Sequence, residues 1–442
     1  MRLGCVPLSK RSWDRKSVEH CWLDAVTPNA EKTLICESQQ MPSRNSLLAV
    51  LVLIFSCTIL GSCTSRSDGR LRALLQKGIE HGYPGIAMLV QEGSGKIHSA
   101  AVGYSDLEHR TTIRVDDAFH MASINKTFTA VAVLRLVDEG KLSLNSTLQE
   151  QLGKAVSGIP YADRITVSQL LDHSSGIYAI NNDMAYLTTI IGPKADPVRV
   201  WKPEELVALA DKDRSKPSGL PGEGHYYSDT NYILLGMIVE RTSHLSYKEY
   251  VRKTVLQPLG MQSTYFYSDY LGKNAHPPVP TVQGYLRSTK DLRTVIEPNA
   301  MFKAVPGDYG QDVQLLNTTL AAERTDAATG LVTTLPDLLR FASALFRGKL
   351  LSSQSQKFLM SAAAGIDAEP LEKKRIWALQ AIHKPYGVLA YKEGDGPGGV
   401  NTLMAYRPAT DEIFLGFTNS FGYFDEVDFM MDDVIGKFVL KN

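Results

Sequence analysis

The stretch HMASINKTFTA, residues 120–130, contains a serine and a lysine three positions apart, Ser123 and Lys126. A serine hydroxyl is a weak nucleophile until a neighbouring group takes its proton. Positions i and i+3 share one face of a helix, so the lysine amine can lie beside the serine oxygen. The spacing predicts an activated serine at a helix start, although an N-capping serine with a solvated lysine fits the same residues.

The residues after this pair predict the helix itself. Phe128, Val131, Leu134 and Val137 recur at helical spacing, and Gly140 is suited to end the helix. A serine in the first helical turn would also feel the positive end of the helix dipole, which favours a developing anion. A lysine that acts as a base needs its pKa lowered by burial or by a nearby positive charge.

A second candidate segment is PGEGHYYSDTNYILLG, residues 221–236. Tyr227 and Asp229 come just before a predicted amphipathic helix over 230–243, where side chains can point into a cleft from a loop. A phenol there can act as general acid or base if a cation lowers its pKa of about 10. A buried tyrosine beside a helix cap explains the same residues equally well.

The third candidate segment is YKEGDGPGG, residues 391–399. It contains G-x-G-x-x-G, but Pro397 interrupts the pattern and a strand follows, which excludes a dinucleotide-binding turn. A glycine-dense turn that enters a strand lets a ligand approach the backbone closely, here at Gly394. Lys392 would then offer a positive charge to a carboxylate. A tight turn with an exposed lysine is the alternative.

The coarse pattern of the chain predicts an α+β fold. Strand patterns occur near both ends, in residues 84–106 and 400–420, and helices and turn-rich loops fill the region between. We therefore expect one antiparallel sheet built from both termini and flanked by helices. A helical subdomain over about 140–330 would be inserted into it.

Taken together, these segments resemble the serine β-lactamase and penicillin-binding protein superfamily. The resemblance is to the branch with class C β-lactamases, D-alanyl-D-alanine carboxypeptidases and β-lactamase-like esterases. The superfamily carries S-x-x-K, then Y-x-N or S-x-N, and then K-T-G or H-x-G motifs. The stretches PGIAMLV, LVDEGKLSL, ITVSQLLDHSSGI and ATGLVTTLPDLLRF are similar too, so the resemblance covers roughly residues 75–440. It implies the β-lactamase/transpeptidase-like fold.

The resemblance also implies roles for individual residues. Ser123 would be the acylated nucleophile, Lys126 its activating partner, and Tyr227 the relay of protons to the leaving group. The oxyanion hole would combine the N–H of Ser123 with an N–H from the strand after the glycine-rich turn. The superfamily uses no metal and no organic cofactor.

Two positions depart from the superfamily pattern and bear on the substrate. Asp229 stands where Asn is usual, and an ionised carboxylate accepts hydrogen bonds but cannot donate them. It would therefore hold Lys126 more firmly and contact a substrate amide differently. The third motif aligns in two ways. Read as K-x-G it places Lys392 and Gly394 in the motif, whereas counting back from the next strand places Glu393 and Asp395 there. The substrate-binding candidates are therefore Asp229, Lys392, Gly394 and Asp395.

Composition gives no sign of a charged or metal-bound partner. The 442 residues carry 47 Lys and Arg against 47 Asp and Glu, so no net field favours nucleic acid. The ten histidines show no H-E-x-x-H spacing, and His173 in DHSSG is interpreted as the anchor of a turn. We expect no cofactor, no metal and no nucleic-acid partner.

The N-terminus predicts export. The apolar run LLAVLVLIFSCTIL, residues 47–60, is short for a bilayer of about 30 Å but fits a signal peptide. LGSC then resembles a bacterial lipobox that would leave Cys63 as the lipidated first residue, with an uncleaved anchor as the alternative. All cysteines lie at or before residue 63, which suits an exported domain: Cys5, Cys21, Cys36, Cys57 and Cys63.

These signals predict the domain organisation and the location of the protein. Residues 1–40 form a non-native extension, 41–62 a lipoprotein signal peptide, 63–74 a tether, and 75–442 a β-lactamase-like serine hydrolase domain. The protein would be lipid-anchored at the periplasmic face of a bacterial cell envelope.

The functional prediction is a serine hydrolase that works through an acyl-enzyme. Its substrate would be an ester, amide or lactam carbonyl in a small molecule or a peptidoglycan-like compound. The alternative is a catalytically weak penicillin-binding, sensing or scaffold module.

Overall fold

Strands from the two ends of the described region meet in one antiparallel sheet. The computed structural model describes residues 66–191, 195–196, 198–211, 216–271, 276–290, 303–308, 313–321, 325–364, 378–422 and 426–440. The predicted N-terminal extension, signal peptide and Cys63 lie outside these residues. Residues 66–74 of the predicted tether over 63–74 belong to helix α1, which begins at Arg66.

The strands occur in groups along the chain. In chain order they are β1 Gly85–Gln91, β2 Ile97–Asp106, β3 Thr111–Thr112, β4 Phe119–His120, β5 Tyr265–Phe266, β6 Tyr285–Thr289, β7 Lys303–Val305, β8 Val313–Asn317, β9 Leu331–Thr333, β10 Gln380–Lys384, β11 Gly387–Gly396, β12 Val400–Arg407, β13 Glu412–Thr418 and β14 Ser420–Phe421.

The helices lie mostly between β4 and β10 and at the two ends of the described chain. They are α1 Arg66–Glu80, α2 Asn125–Asp138, α3 Leu148–Leu152, α4 Val167–Leu171, α5 Met184–Ile190, α6 Pro203–Val207, α7 Asp229–Ser243, α8 Tyr247–Val251, α9 Leu335–Phe346, α10 Ser353–Ala364, α11 Glu426–Asp428 and α12 Lys437–Leu440. A π-helical segment, Phe429–Gly436, joins the last two.

The central sheet confirms the predicted fold class. Its strand order is β10-β11-β12-β13-β1-β2-β3, and every neighbouring pair is antiparallel. The C-terminal strand β13 pairs with the N-terminal strand β1, with Met88 opposite Gly416. The central sheet is therefore complete only when both the N-terminal strand β1 and the C-terminal strand β13 are present.

Both faces of this sheet are covered, which explains its nearly continuous apolar strands. Successive residues point to opposite faces. Ala87 and Leu89 join the core beneath α2 and α9, whereas Ile86 and Met88 join a second core beneath α1 and the C-terminal helices. Helix α2 is buried on almost all sides, and Phe128 stacks on Phe341 at 3.6 Å between ring centroids.

The inserted region is not purely helical, contrary to the prediction. Strands β6, β7 and β8 form a small sheet with β14, in the order β14-β6-β8-β7, and β4, β9 and β5 form another. Parallel pairing with β14, far along the chain, stabilises β6. Such long-range partners leave no local sequence pattern.

The third candidate segment is a strand rather than a glycine-rich turn. Residues 392–396 continue β11, and the turn is confined to 397–399. In the described part of the chain, no helix is both long and apolar enough to cross a membrane.

Candidate active site

Ser123 lies where β4 turns into helix α2. A short helical turn, Ala122–Ile124, joins them, and Ala122 adopts a left-handed φ of 46°. A non-glycine residue in that region is strained and needs support from its surroundings. The Met121 N–H donates to the carbonyl of Leu331 at 3.0 Å, which fixes the turn. The serine is thereby presented, partly exposed, at the start of a rigid helix.

Two functional groups meet the Ser123 hydroxyl. The Lys126 ammonium donates to Oγ at 2.8 Å, and the Tyr227 hydroxyl lies 2.7 Å from the same oxygen. Helix α2 supplies the lysine from its first turn, and the loop before α7 supplies the tyrosine. The structure therefore brings together all three side chains that were predicted to be catalytic.

Asp229 faces Lys126 rather than the open cleft. Its Oδ1 lies 2.7 Å from the lysine Nζ, and both side chains are buried. Burial lowers the pKa of Lys126, but the Asp229 carboxylate and the Tyr227 hydroxyl outweigh burial and raise it overall. Lys126 is therefore a cation at neutral pH, since its usual pKa is already about 10.4. The main contact of Asp229 is thus with Lys126.

Tyr227 keeps its proton in the resting site. Burial raises the pKa of its hydroxyl, Lys126 opposes that shift and Asp229 adds to it, so the net pKa is raised. The Lys126 ammonium also lies 5.1 Å from the centre of the tyrosine ring. In the resting site, Lys126 is therefore protonated and the Tyr227 and Ser123 hydroxyls are both neutral.

Of the two alignments of the third motif, the K-x-G one brings its residues to the site. The Lys392 ammonium lies 5.1 Å from the centre of the Tyr227 ring, and its side chain is only 2% exposed. Burial, and then the Lys126 charge, lower the pKa of Lys392 to about 8. A second cation therefore lies beside Tyr227.

Gly394 contacts the nucleophile turn, whereas the sequence predicted contact with a ligand. A Cβ built there would lie 2.7 Å from the Ser123 nitrogen and 2.6 Å from the Met121 carbonyl oxygen. Thr402, opposite Gly394 on β12, donates to that same Met121 carbonyl at 3.1 Å. The glycine lets β11 pass directly against the nucleophile.

Glu393 and Asp395 alternate with these residues on the strand. Glu393 pairs with Leu403, which belongs to the core on the far side of the sheet. The Asp395 side chain is exposed, and partial desolvation raises its pKa although Lys126 and Lys392 oppose the shift. Two carboxyl groups therefore follow Lys392 along the strand, one on each side of Gly394.

His173 is the residue that sequence reasoning undervalued. Its ring is buried 4.4 Å from the Tyr227 ring, measured between centroids, in a tilted contact. Its Nδ1 accepts a hydrogen bond from the Ser228 N–H at 3.2 Å. The DHSSG motif was the available signal, but nothing local links it to a tyrosine more than fifty residues away.

The arrangement can carry out acyl transfer at Ser123. The Lys126 cation and the neutral Tyr227 phenol converge on the Ser123 oxygen, and β11 runs alongside the Ser123 amide. Across the described ranges, no cluster of three or more His, Cys, Asp or Glu side chains could hold a metal ion.

Residues 71–432 match the protein family described as Beta-lactamase. Penicillin-binding protein 4* of Bacillus subtilis is 23% identical over 331 residues, 74% of this chain and 66% of that protein. Protein flp of Staphylococcus aureus is 27% identical over 205 residues, 46% of this chain and 39% of that protein. The chain thus spans two thirds or less of the length of these relatives.

Solved structures give the same relationship over most of the chain. A D-stereospecific amidohydrolase from Streptomyces sp. is similar with a TM-score of 0.67 and 25% identity, covering 85% of this chain and 99% of that one. The D-amino acid amidase of Ochrobactrum anthropi also has a TM-score of 0.67, with 20% identity over 84% and 98% of the two chains. The second likeness concerns the fold alone.

Proposed function

Since the chain belongs to the β-lactamase family of serine hydrolases, we propose that it hydrolyses amide or ester bonds through an acyl-enzyme at Ser123. The observation that carries this proposal is the convergence of Lys126 Nζ and Tyr227 OH on the Ser123 oxygen, at 2.8 and 2.7 Å. Both distances are within reach of direct proton transfer.

Tyr227 is the proton relay in this proposal. The raised pKa of Lys126 leaves that residue protonated, so it stabilises the serine oxygen as negative charge develops but does not accept the proton. As Ser123 attacks the carbonyl carbon, its proton passes to the Tyr227 oxygen, and the phenol proton passes to the leaving nitrogen or oxygen. Deacylation by water runs through the same phenol in reverse, and Ser123 recovers its proton.

The oxyanion would be held by two backbone N–H groups. One belongs to Ser123, in the first turn that leads into α2, where the helix dipole also favours negative charge. The other comes from Asp395 on β11, directly after the glycine that lies against Ser123. Preorganised donors of this kind are worth about 2.7–4 kcal/mol each.

Asp395 on β11 favours substrates without a carboxylate next to the scissile bond. It is exposed one residue after the glycine that lies against Ser123, whereas the cation of Lys392 is buried beside the Tyr227 ring. A penicillin or peptide C-terminus would bring its carboxylate close to Asp395. We therefore propose a small amide or ester with a neutral or cationic acyl part, such as an amino acid amide. The similarity to a D-stereospecific amidohydrolase supports an amide substrate.

A substrate panel tests this proposal on the purified protein. The probes are a fluorophosphonate, a short-chain nitrophenyl ester, D- and L-phenylalanine amide and a fluorescent penicillin. We expect a fluorophosphonate adduct on Ser123 in the peptide mass map, and turnover of ester or amide faster than acylation by penicillin. Asp395→Asn should raise penicillin labelling about 1.4- to fivefold, in keeping with about 0.2–1 kcal/mol for exposed charge pairs.

Three outcomes would contradict the proposal at different points. No adduct and no turnover would favour the sensing or scaffold alternative. Penicillin labelling without ester or amide turnover would favour a penicillin-binding protein. Asp395→Asn without any effect on penicillin labelling would remove the electrostatic argument for substrate choice.

We also propose that the hydrolase is exported and lipid-anchored. The support is the apolar run 47–60 and the lipobox-like LGSC sequence that ends at Cys63. In a bacterial expression host, the mature protein should begin at a lipidated Cys63, detectable by intact mass. A mature protein that keeps residues 41–62, in both the wild type and Cys63→Ala, would show that this proposal is wrong.

A further inference from the structure

His173 holds the loop that carries the catalytic tyrosine. The His173 carbonyl accepts a hydrogen bond from the Tyr226 N–H at 2.8 Å, and its Nδ1 accepts one from the Ser228 N–H at 3.2 Å. Its ring packs on the ring of Tyr227, between these two residues. One residue therefore fixes the backbone on both sides of Tyr227 and one face of its side chain.

We propose that His173 is a positioning residue that holds the Tyr227 hydroxyl against the Ser123 oxygen. It touches neither the nucleophile nor the substrate, and it acts through the Tyr226–Ser228 segment. The inference rests on the proposed function, because the position of Tyr227 limits the rate only if Tyr227 relays protons. A shift of about 1 Å in a catalytic group can cost about 100-fold in rate.

The hydrogen bonds define the tautomer of the His173 imidazole. A backbone N–H can only donate, so Nδ1 must be the acceptor and the ring proton lies on Nε2. The Asn231 side-chain nitrogen lies 3.1 Å from the same Nδ1, and the Asn231 oxygen already accepts from Ser175. Both neighbours of Nδ1 are therefore donors, and a proton on Nδ1 would break the contact with Ser228.

The surroundings keep His173 neutral. Burial, followed by the charges of Lys392 on β11, Lys126 on α2 and His225 in the loop, holds its pKa well below the usual value. The rings of Tyr227 and Tyr232 face it from the loop and from α7, at 4.4 and 5.2 Å. Since the neutral form is the native one, acid weakens the Ser228 contact only when the pH falls below the ordinary range of histidine.

The backbone of His173 shows which substitutions test the idea. Its φ is 57°, a left-handed conformation that glycine and asparagine tolerate well. His173→Gly removes the side chain without adding backbone strain. His173→Asn places an amide oxygen where Nδ1 was, keeps the acceptor for Ser228 and removes the titratable ring.

The experiment measures ester hydrolysis and fluorophosphonate labelling from about pH 3.5 to 9 for the wild type and both variants, so that the range below the ordinary histidine pKa is included. We expect His173→Gly to lower kcat about 10- to 100-fold with KM changed less than about threefold, because a positioning loss acts on the proton transfer. His173→Asn should stay within about threefold of wild-type kcat at neutral pH. In His173→Asn the decline of kcat in acid should begin at a lower pH than in the wild type, because an amide is not protonated in this pH range as an imidazole is.

His244→Asn is the matched control. His244 also adopts a left-handed φ, 59°, at the exposed end of α7, and its replacement should change neither the rate nor the pH profile. Wild-type kcat in a folded His173→Gly, or His173→Asn as slow as His173→Gly, would overturn the inference. If His173→Gly does not fold, identical acid limbs for the wild type and His173→Asn would overturn it. Failure of the wild type to label would instead contradict the proposed function.

Discussion

Replacing Ser123 by alanine is expected to lower kcat/KM by about 10⁴-fold or more, for ester and amide substrates alike. The serine oxygen is the atom that Lys126 and Tyr227 both contact, and neither of them can replace it as a nucleophile that is regenerated in each cycle. Such a loss corresponds to about 5 kcal/mol or more of transition-state stabilisation. Steady-state kinetics and fluorophosphonate labelling measure it directly.

The fold should survive this substitution. Lys126 keeps its ion pair with Asp229 when the hydroxyl is lost, and its contact with the Ala328 carbonyl at 3.5 Å. We expect the melting temperature of Ser123→Ala to stay close to that of the wild type. Ser157→Ala, at an exposed serine outside the site, is the control and should label and turn over normally. Undiminished labelling of Ser123→Ala would mean that another residue is the nucleophile.

The local part of the site could be predicted from the sequence. Ser123 and Lys126 are three residues apart on one helix, so their proximity follows from helix geometry alone. The end of α2 could also be predicted from local sequence, because Gly140 follows the helix with a φ of 69°, a conformation that favours glycine. Patterns within one element identified these features because the interactions that stabilise them lie within that element.

Contacts between distant elements were not predictable in the same way. The choice between Lys392 and Glu393 depends on which face of β11 lies against Ser123, and the close approach at Gly394 fixes that face. A one-residue shift of a strand exchanges its faces, so the sequence left both alignments open. The same limit applies to β6, whose partner β14 lies far along the chain.

Asp229 was identified as a departure from the superfamily, and the sequence suggested both a firmer hold on Lys126 and a changed contact with a substrate amide. The structure shows the first of these contacts, because the carboxylate lies 2.7 Å from Lys126 Nζ. Because the pKa of Lys126 is raised, the stability that the ion pair contributes is present throughout neutral pH. It is lost only as the pH rises through that elevated value, in strongly alkaline solution.

Lys126→Met is expected to lower kcat by about 10³-fold and to destabilise the protein at the same time. Methionine fills a similar volume but removes the charge that stabilises the serine oxygen, and general acid–base and charge partners are worth about 10²–10⁴ in rate. It also leaves Asp229 buried without its cation, and breaking a buried pair from one side costs about 3–5 kcal/mol. Kinetics and chemical denaturation measure the two effects separately.

Asp229→Asn separates these two roles of the lysine. An amide oxygen still accepts from the Lys126 ammonium, so we expect activity within about tenfold of the wild type and a lower pKa for Lys126. The double variant Lys126→Met/Asp229→Asn should regain most of the stability that Lys126→Met loses, because no unpaired charge remains buried. It should regain none of the activity, since the cation beside Ser123 is still absent.

Lys248→Met is the matched control for this cycle. Lys248 also forms ion pairs, with Asp269 at 3.0 Å and Asp326 at 3.2 Å, but it is about a quarter exposed and lies on α8. Its replacement should leave kcat unchanged and cost little stability, as partly exposed pairs do. If the double variant recovered activity together with stability, Lys126 would matter only for the fold. Recovery of stability alone would mean that its charge serves the chemistry at Ser123.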